Sequence, residues 1–158
     1  MTGRILVVDD VATNRIVMKV KLTAACYAVD QADCGAAALA NARANGPDLI
    51  LLDVVMPDMS GLDVCRQLKA DPETADIPVI LITALSDRDA KMSGLEAGAD
   101  DFLTKPVDEV TLLARVRSLL RARDTVRELR QRGEPVLGFA EAAAGFDAQE
   151  RPGRIALV

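Results

Sequence analysis

Histidine is absent from all 158 residues. That excludes Ser–His and Cys–His nucleophile pairs, imidazole acid–base chemistry and ordinary zinc sites, so any imidazole in the reaction must come from a partner. Tryptophan is absent, Tyr27 is the single tyrosine, and the basic stretch 115–132 holds no aromatic residue, so it has no aromatic interleaving for stacking on nucleic acid. The three cysteines, Cys26, Cys34 and Cys65, are odd in number and widely spaced. They read as reduced thiols rather than a disulfide framework. The longest apolar segment, near IPVILITAL, falls far short of the roughly 20 residues that span a bilayer. The chain opens MTGRILVVDD, with no basic leader ahead of an apolar stretch, so the expected location is cytoplasmic. No glycine-rich phosphate cradle or nucleotide motif occurs, which argues against ATP as a direct phosphoryl donor.

What is present is a chain 50% apolar, enough for one compact domain with appendages. Its net charge of −5 hides an asymmetry. Residues 1–114 hold 10 basic and 18 acidic side chains, whereas residues 115–132 hold 7 and 2.

Short β-rich runs, RILVV (4–8), YAVDQA (27–32), DLILL (48–52), IPVILIT (77–83) and DFLTK (101–105), alternate with segments of helical period near 13–25, 35–45, 60–70, 87–98 and from 108 onward. The runs at 4, 48 and 77 are continuously apolar, the mark of parallel strands covered on both faces. Five βα repeats predict an α/β fold, a doubly wound five-stranded parallel sheet with an extended C-terminal helix. In such sheets ligands bind beyond the carboxyl ends of the strands.

At those ends stand Asp9 and Asp10 after the first strand, Asp53 after the third, Thr83 after the fourth and Lys105 after the fifth. A carboxylate closing a buried run such as LILLD is costly unless something there needs it. Three carboxylates in one place repel unless a cation joins them. A hard cation such as Mg2+ takes carboxylate and carbonyl oxygens, here one or two of the aspartates and a backbone carbonyl near Val55. Lys105 adds positive charge and Thr83 a hydroxyl donor. The set supports phosphoryl transfer to Asp53 as nucleophile, with another protein's phosphohistidine as donor. Taken singly, Asp9 or Asp10 could instead cap the helix starting near residue 13. Met56, Pro57 and Gly61 read as turn chemistry that shapes the loop beneath the acceptor.

The motifs VVDD, LLDVVMPDMSG, ITA and TKP, in this order and over residues 3–122, resemble the receiver domain of two-component response regulators. The resemblance implies a flavodoxin-like sheet of order 2-1-3-4-5 and Asp53 as phosphoacceptor. It implies Mg2+ held by Asp9, Asp10, Asp53 and the Val55 carbonyl, and a switch built from Thr83, Phe102 and Lys105. It also implies a cis bond between Lys105 and Pro106. In that switch Thr83 shifts inward, Phe102 turns from an exposed to a buried rotamer, and the surface of the fourth helix, fifth strand and fifth helix changes. The partners implied are a histidine kinase or histidine phosphotransfer protein, with a possible homodimer through that surface. Val55 and Leu85, each two residues past a site position, are apolar where a polar side chain would orient water. A phosphoryl group lasting minutes or longer is therefore expected.

The last helix keeps its spacing through Val116, Leu119, Val126 and Leu129, then breaks at Gly133 and Pro135. Its basic face carries no nucleic-acid motif and reads as a solvated, signal-carrying helix. Domain expectations are a receiver over 1–122, a helical extension over 123–132 and a linker over 133–152. The closing GRIALV (153–158) echoes GRILVV (3–8), as the first strand of a second receiver-like domain would. The run is similar to the amino-terminal part of PleD-type regulators, in which receiver and receiver-like domains precede a GGDEF domain that makes cyclic di-GMP. No GGDEF segment lies within these residues, so a cyclase output would lie outside this chain. Two other readings share the residues: an aspartate-nucleophile phosphatase, disfavoured by Val55, and a free-standing phosphate shuttle.

Overall fold

The computed structural model describes residues 3–83 and 88–131, with side chains through 83 and over 92–129. Ten elements alternate: β1 (Arg4–Val8), α1 (Ala12–Ala24), β2 (Ala28–Ala32), α2 (Gly35–Asn45), β3 (Leu49–Asp53), α3 (Gly61–Ala70), β4 (Val79–Thr83), α4 (Arg88–Ala97), β5 (Asp101–Thr104) and α5 (Glu109–Gln131). The strands form one sheet of order β2-β1-β3-β4-β5, and every pair is parallel. The expected doubly wound fold and strand order are what the structure has.

The continuous apolar runs divide by the two-residue period of a strand. Leu6, Val8, Ile50, Leu52, Val79 and Leu81 face one way and pack with Ala38, Leu39 and Ala42 of α2 and Val64, Cys65 and Leu68 of α3. Ile5, Val7, Leu49, Leu51, Ile80 and Ile82 face the other way, against Leu22 of α1 and Leu112, Val116 and Leu120 of α5. Each such side chain contributes about 1.5–3 kcal/mol on burial. Both faces of the sheet are thus covered, and the carboxyl ends of its strands are left as the place for polar groups.

Element ends follow local chemistry. β4 starts at Val79 rather than residue 77, because the Ile77 N–H closes a turn on the Thr74 carbonyl and Pro78 has no N–H to give the ladder. The Val79 N–H donates to the Asp100 carboxylate at 2.8 Å. Asp108 caps α5, accepting from the Thr111 N–H at 2.9 Å and its hydroxyl at 3.0 Å. α4 stops at Ala97, ahead of Gly98 at φ 93°. All three cysteines are free, and burial pushes the Cys65 thiol up to about 11, so Cys65 is core material rather than a reactive thiolate.

α1 ends in a Schellman turn. The Cys26 N–H donates to Thr23 O at 2.9 Å and the Tyr27 N–H to Leu22 O at 3.1 Å. Glycine usually occupies the left-handed position of that turn, but here Cys26 holds φ 73°. A side chain in this conformation costs roughly 1–2 kcal/mol. Cys26 is exposed, so little packing would be lost with it. Cys26→Gly is expected to stabilise the fold by about 0.5–1 kcal/mol after the added chain entropy of glycine, read as a higher urea midpoint with an unchanged slope.

The chain divides into two compact units, Met1–Leu120 and Arg121–Val158. The first carries the whole sheet. Of the second, the described residues are 121–131, which belong to the 23-residue α5. The expected linker over 133–152 and the expected strand over 153–158 lie outside the described residues, as does Leu85. No described helix is long and apolar enough to cross a membrane.

Candidate functional site

The strand ends bring the expected residues to one edge of the sheet. Asp53 is the last residue of β3 and pairs in register with Ile82 of β4. Thr83 closes β4, level with Thr104 of β5. Asp9 and Asp10 follow β1, and Lys105 follows β5. Asp9, Asp53 and Thr83 are 8%, 4% and 2% exposed, whereas Asp10 is open to solvent. Carboxylate oxygens of Asp9, Asp10 and Asp53 all lie within 4.8 Å of one another.

Each group is held by a neighbour. Lys105 Nζ donates to Asp53 Oδ2 at 3.0 Å, and the Val55 N–H donates to Asp53 Oδ1 at 3.2 Å. The Lys105 N–H donates to Thr83 O at 2.9 Å, tying the ends of β4 and β5 together. The Lys105–Pro106 peptide is cis, as the motif resemblance implied. Asp9 accepts from the Val11 N–H at 2.9 Å, while its carbonyl accepts from Arg15 Nη1 at 2.7 Å. The capping alternative for Asp9 therefore fails in its simple form. α1 has Val11 at its N-cap with no side-chain cap, and the Asp9 carboxylate closes a turn one step ahead of the helix.

Burial is the largest influence on the Asp53 carboxyl and raises it above the ordinary carboxylate value. The Lys105 ammonium and the Val55 N–H pull the other way, and the nearby Asp9 charge adds to the rise. A buried carboxylate with two like charges beside it and one ammonium on it has unmet demand for positive charge. The donor set is all oxygen, two of its three aspartates are buried, and its open side is Asp10. That chemistry fits a hard divalent cation such as Mg2+.

Phe102, expected from the motif resemblance to take part in a switch, is half-buried, packed against the core beneath α4. A methyl group at Gly94 would lie 2.4 Å from Phe102 Cε1 and 2.7 Å from Leu81 Cδ1, so the ring rests on the glycine of α4. Val55, 73% exposed, presents an apolar side chain to solvent two residues past Asp53.

One residue of the loop after β3 escaped the motif reading. Asp58 accepts from the Gly35 N–H at 2.9 Å and the Ala36 N–H at 3.0 Å, capping α2 from 22 or more positions away. These two bonds hold its carboxyl below the usual range. The available signal was indirect: α2 begins on Cys34, whose sulfur is a weak acceptor 3.4 Å from the Ala37 N–H, so the helix lacked a strong cap of its own.

The profile of the response regulator receiver domain family matches residues 5–117. The chain is 54% identical over 150 residues to the response regulator PleD of Caulobacter vibrioides, covering 93% of this chain and 33% of that protein. It is 43% identical over 131 residues to the DNA-binding dual master transcriptional regulator RpaA of Synechocystis, covering 83% and 54%. The chain thus spans from a third to about half of these relatives. Among solved structures it superposes on the signal receiver domain of a signal transduction histidine kinase from Syntrophus aciditrophicus with TM-score 0.72 and 42% identity, covering 76% of this chain and 91% of that one. The chemotaxis protein CheY4 of Vibrio cholerae gives TM-score 0.71 and 29% identity, covering 75% and 99%. A parallel sheet with an acidic cluster at its carboxyl edge and a family match over the same residues lead to one conclusion: this chain belongs to the response regulator receiver domains, the phosphoacceptors of two-component signalling, and is PleD-like among them.

Proposed function

We propose that Asp53 is the residue that accepts the phosphoryl group, from a phosphohistidine on a partner kinase or histidine phosphotransfer protein. The observation that carries this reading is the buried Asp53 carboxylate, fixed by Lys105 at 3.0 Å beside Asp9 and Asp10. An Asp53 oxygen attacks phosphorus, the phosphorus–nitrogen bond to the imidazole breaks, and its electron pair stays on that nitrogen. Asp9, Asp10, Asp53 and the Val55 carbonyl would hold Mg2+, which when bound supplies positive charge against repulsion between the carboxylates and the incoming phosphoryl oxygens. The Lys105 ammonium passes from Asp53 to a phosphoryl oxygen, and the Thr83 hydroxyl donates to another.

The product carries more charge and more acceptors than the aspartate it replaces. Movement of Thr83 toward it leaves room for the Phe102 ring, and the α4–β5–α5 surface follows. Taking such a switch from mostly off to mostly on requires about 5.5 kcal/mol of differential interaction, within reach of a few charge-assisted hydrogen bonds. That surface is proposed to pair with a second copy of the chain and to govern an output outside it. Similarity to PleD supports a diguanylate cyclase as that output, and the domain boundaries at 122, 132 and 152 are proposed with it.

Intact-mass measurement after incubation with acetyl phosphate and Mg2+ tests the reading. One added phosphoryl group is expected, with none when the metal is chelated. A mass gain indifferent to chelation would refute it. Val55 offers no polar group to orient water, so the adduct is expected to persist for minutes or longer. Val55→Asn is expected to shorten its life about tenfold, a modest part of the roughly 10²–10⁴-fold that a positioned acid or base contributes. The decay of the mass peak with time measures it.

A further inference from the structure

Resting on the reading of Asp53 as acceptor, we propose that Asp58 is a positioning residue for it: by clamping the acceptor loop onto the N-terminus of α2, it sets the affinity of the acidic pocket for Mg2+ and the rate of phosphorylation, without touching either. The loop runs from Val54 to Ser60. Its two ends converge on one residue. Entering, the Val54 N–H donates to Ile82 O at 3.1 Å. Leaving, the Gly61 N–H donates to Val54 O at 2.8 Å and Ser60 Oγ to the same oxygen at 3.4 Å. The stretch between, which includes the Val55 carbonyl, depends on other anchors.

Two of those anchors are apolar. Met56 is buried in the core, and Met59 lies over Gly35, where a methyl group would come within 2.3 Å of its Cγ. Dispersion contacts of a flexible thioether side chain resist lifting of the loop but are not directional. The Asp58 carboxylate is directional. Its two oxygens bind two successive N–H groups at 2.9 and 3.0 Å, donors that the first turn of a helix leaves without intrahelical partners, and the bonds are charge-assisted. Asp58 therefore fixes the rotation of the loop and not merely its height. Through Met56 and Pro57, the two residues separating it from Val55, it governs where that carbonyl stands relative to Asp53. A displacement of a fraction of an ångström there is enough to matter, because Mg2+ demands near-ideal geometry of its oxygens.

A helix cap alone and a positioning role give different results. If Asp58 only caps α2, its loss lowers the melting temperature and leaves Mg2+ binding by the folded protein unchanged. If it positions the loop, Asp58→Ala weakens Mg2+ binding five- to tenfold, measured by titration calorimetry on unphosphorylated protein well below the melting temperature. Labelling by acetyl phosphate at subsaturating Mg2+ then slows by the same factor. Asp58→Asn, which keeps one acceptor oxygen, falls between. Making these changes in a Cys34→Ser background strengthens the α2 cap from within the helix and keeps the variants folded while the loop stays untethered. Wild-type Mg2+ affinity and labelling rate in Asp58→Ala would overturn the inference. Failure of the wild type itself to gain mass would instead sink the reading of Asp53, and this inference with it.

Discussion

Asp53→Asn is expected to abolish phosphoryl labelling and, in metal-free buffer at neutral pH, to raise the melting temperature above that of the wild type. The two effects have one origin. The amide is no nucleophile toward phosphorus, so the mass gain disappears. The same change removes a carboxylate that burial penalises and that Asp9 repels. A carboxyl whose folded value is raised binds its proton more tightly when folded. Stability therefore falls as pH rises through the unfolded and then the folded value, and the full penalty applies above the latter. Asn carries no such penalty. The gain from Asp53→Asn is thus fully present above the raised value of Asp53, and the ionisation part of it vanishes below about pH 4. Lys105 loses its partner in the variant, but at 40% side-chain exposure water takes over the ammonium at little cost. Added Mg2+ reverses the order, because a cation that binds the native site of the wild type stabilises it by mass action. Thermal melts of both proteins with Mg2+ and with chelator measure the crossing. A variant that melts below the wild type in chelator would show that the Lys105 pair outweighs burial at this site.

The residues that carry this charge balance were legible in the sequence because the sheet separates roles by position. An aspartate at the end of LILL has no apolar reason to be there, and neither has a lysine directly after DFLT. Parallel strands put all such ends on one edge, so reading the last residue of each run recovered Asp9, Asp10, Asp53, Thr83 and Lys105 without any coordinate. The strand order came with the motif resemblance, since apolar runs alone do not say which strands are neighbours. Asp58, Gly94 and the role of Gly61 were not legible, for a shared reason. Asp58 acts on Gly35 and Ala36, 23 and 22 positions away, and Gly94 matters because the Phe102 ring lies on it. Such contacts depend on how α2 and α4 lean on the sheet, which no local pattern records. Strand limits erred for local reasons, as where Pro78 and the Thr74 turn cut β4 short. Cys26 runs against the usual signal, because a left-handed turn ordinarily announces itself with glycine.

Gly61→Ala is expected to be the most damaging single methyl group near the site. Read as turn chemistry in the motif, Gly61 is in the structure a point of contact between backbones. A methyl group there would lie 2.2 Å from the Asp53 carbonyl oxygen and 2.9 Å from both the Asp53 carbonyl carbon and Val54 Cα. None of these atoms is the far end of a side chain that could rotate aside, so either the first turn of α3 or the end of β3 must move. Overpacking of this kind costs up to about 3 kcal/mol, which corresponds to a fall of roughly 10 °C in melting temperature for a domain of this size. The direction of the movement matters more than its cost. Asp53 and the Val54–Gly61 hydrogen bond at 2.8 Å lie on the backbone that the methyl group presses, so movement of the β3 end would take the Asp53 carboxylate out of its place beside Lys105 and Asp9. Labelling is therefore expected to drop by tenfold or more even at temperatures where circular dichroism shows the variant folded, as a reacting oxygen misplaced by an ångström loses about that much or more. Ser60→Ala separates the two consequences. It removes the α3 cap, in which the Leu62 N–H donates to Ser60 Oγ at 3.1 Å, at a cost of about 1 kcal/mol, but adds no atom against Asp53. It is expected to melt earlier and label at nearly the wild-type rate. If Gly61→Ala behaved like Ser60→Ala, losing stability and keeping its labelling rate, the start of α3 would be shown to yield without moving β3, and the close approach at Gly61 would have no part in placing the acceptor.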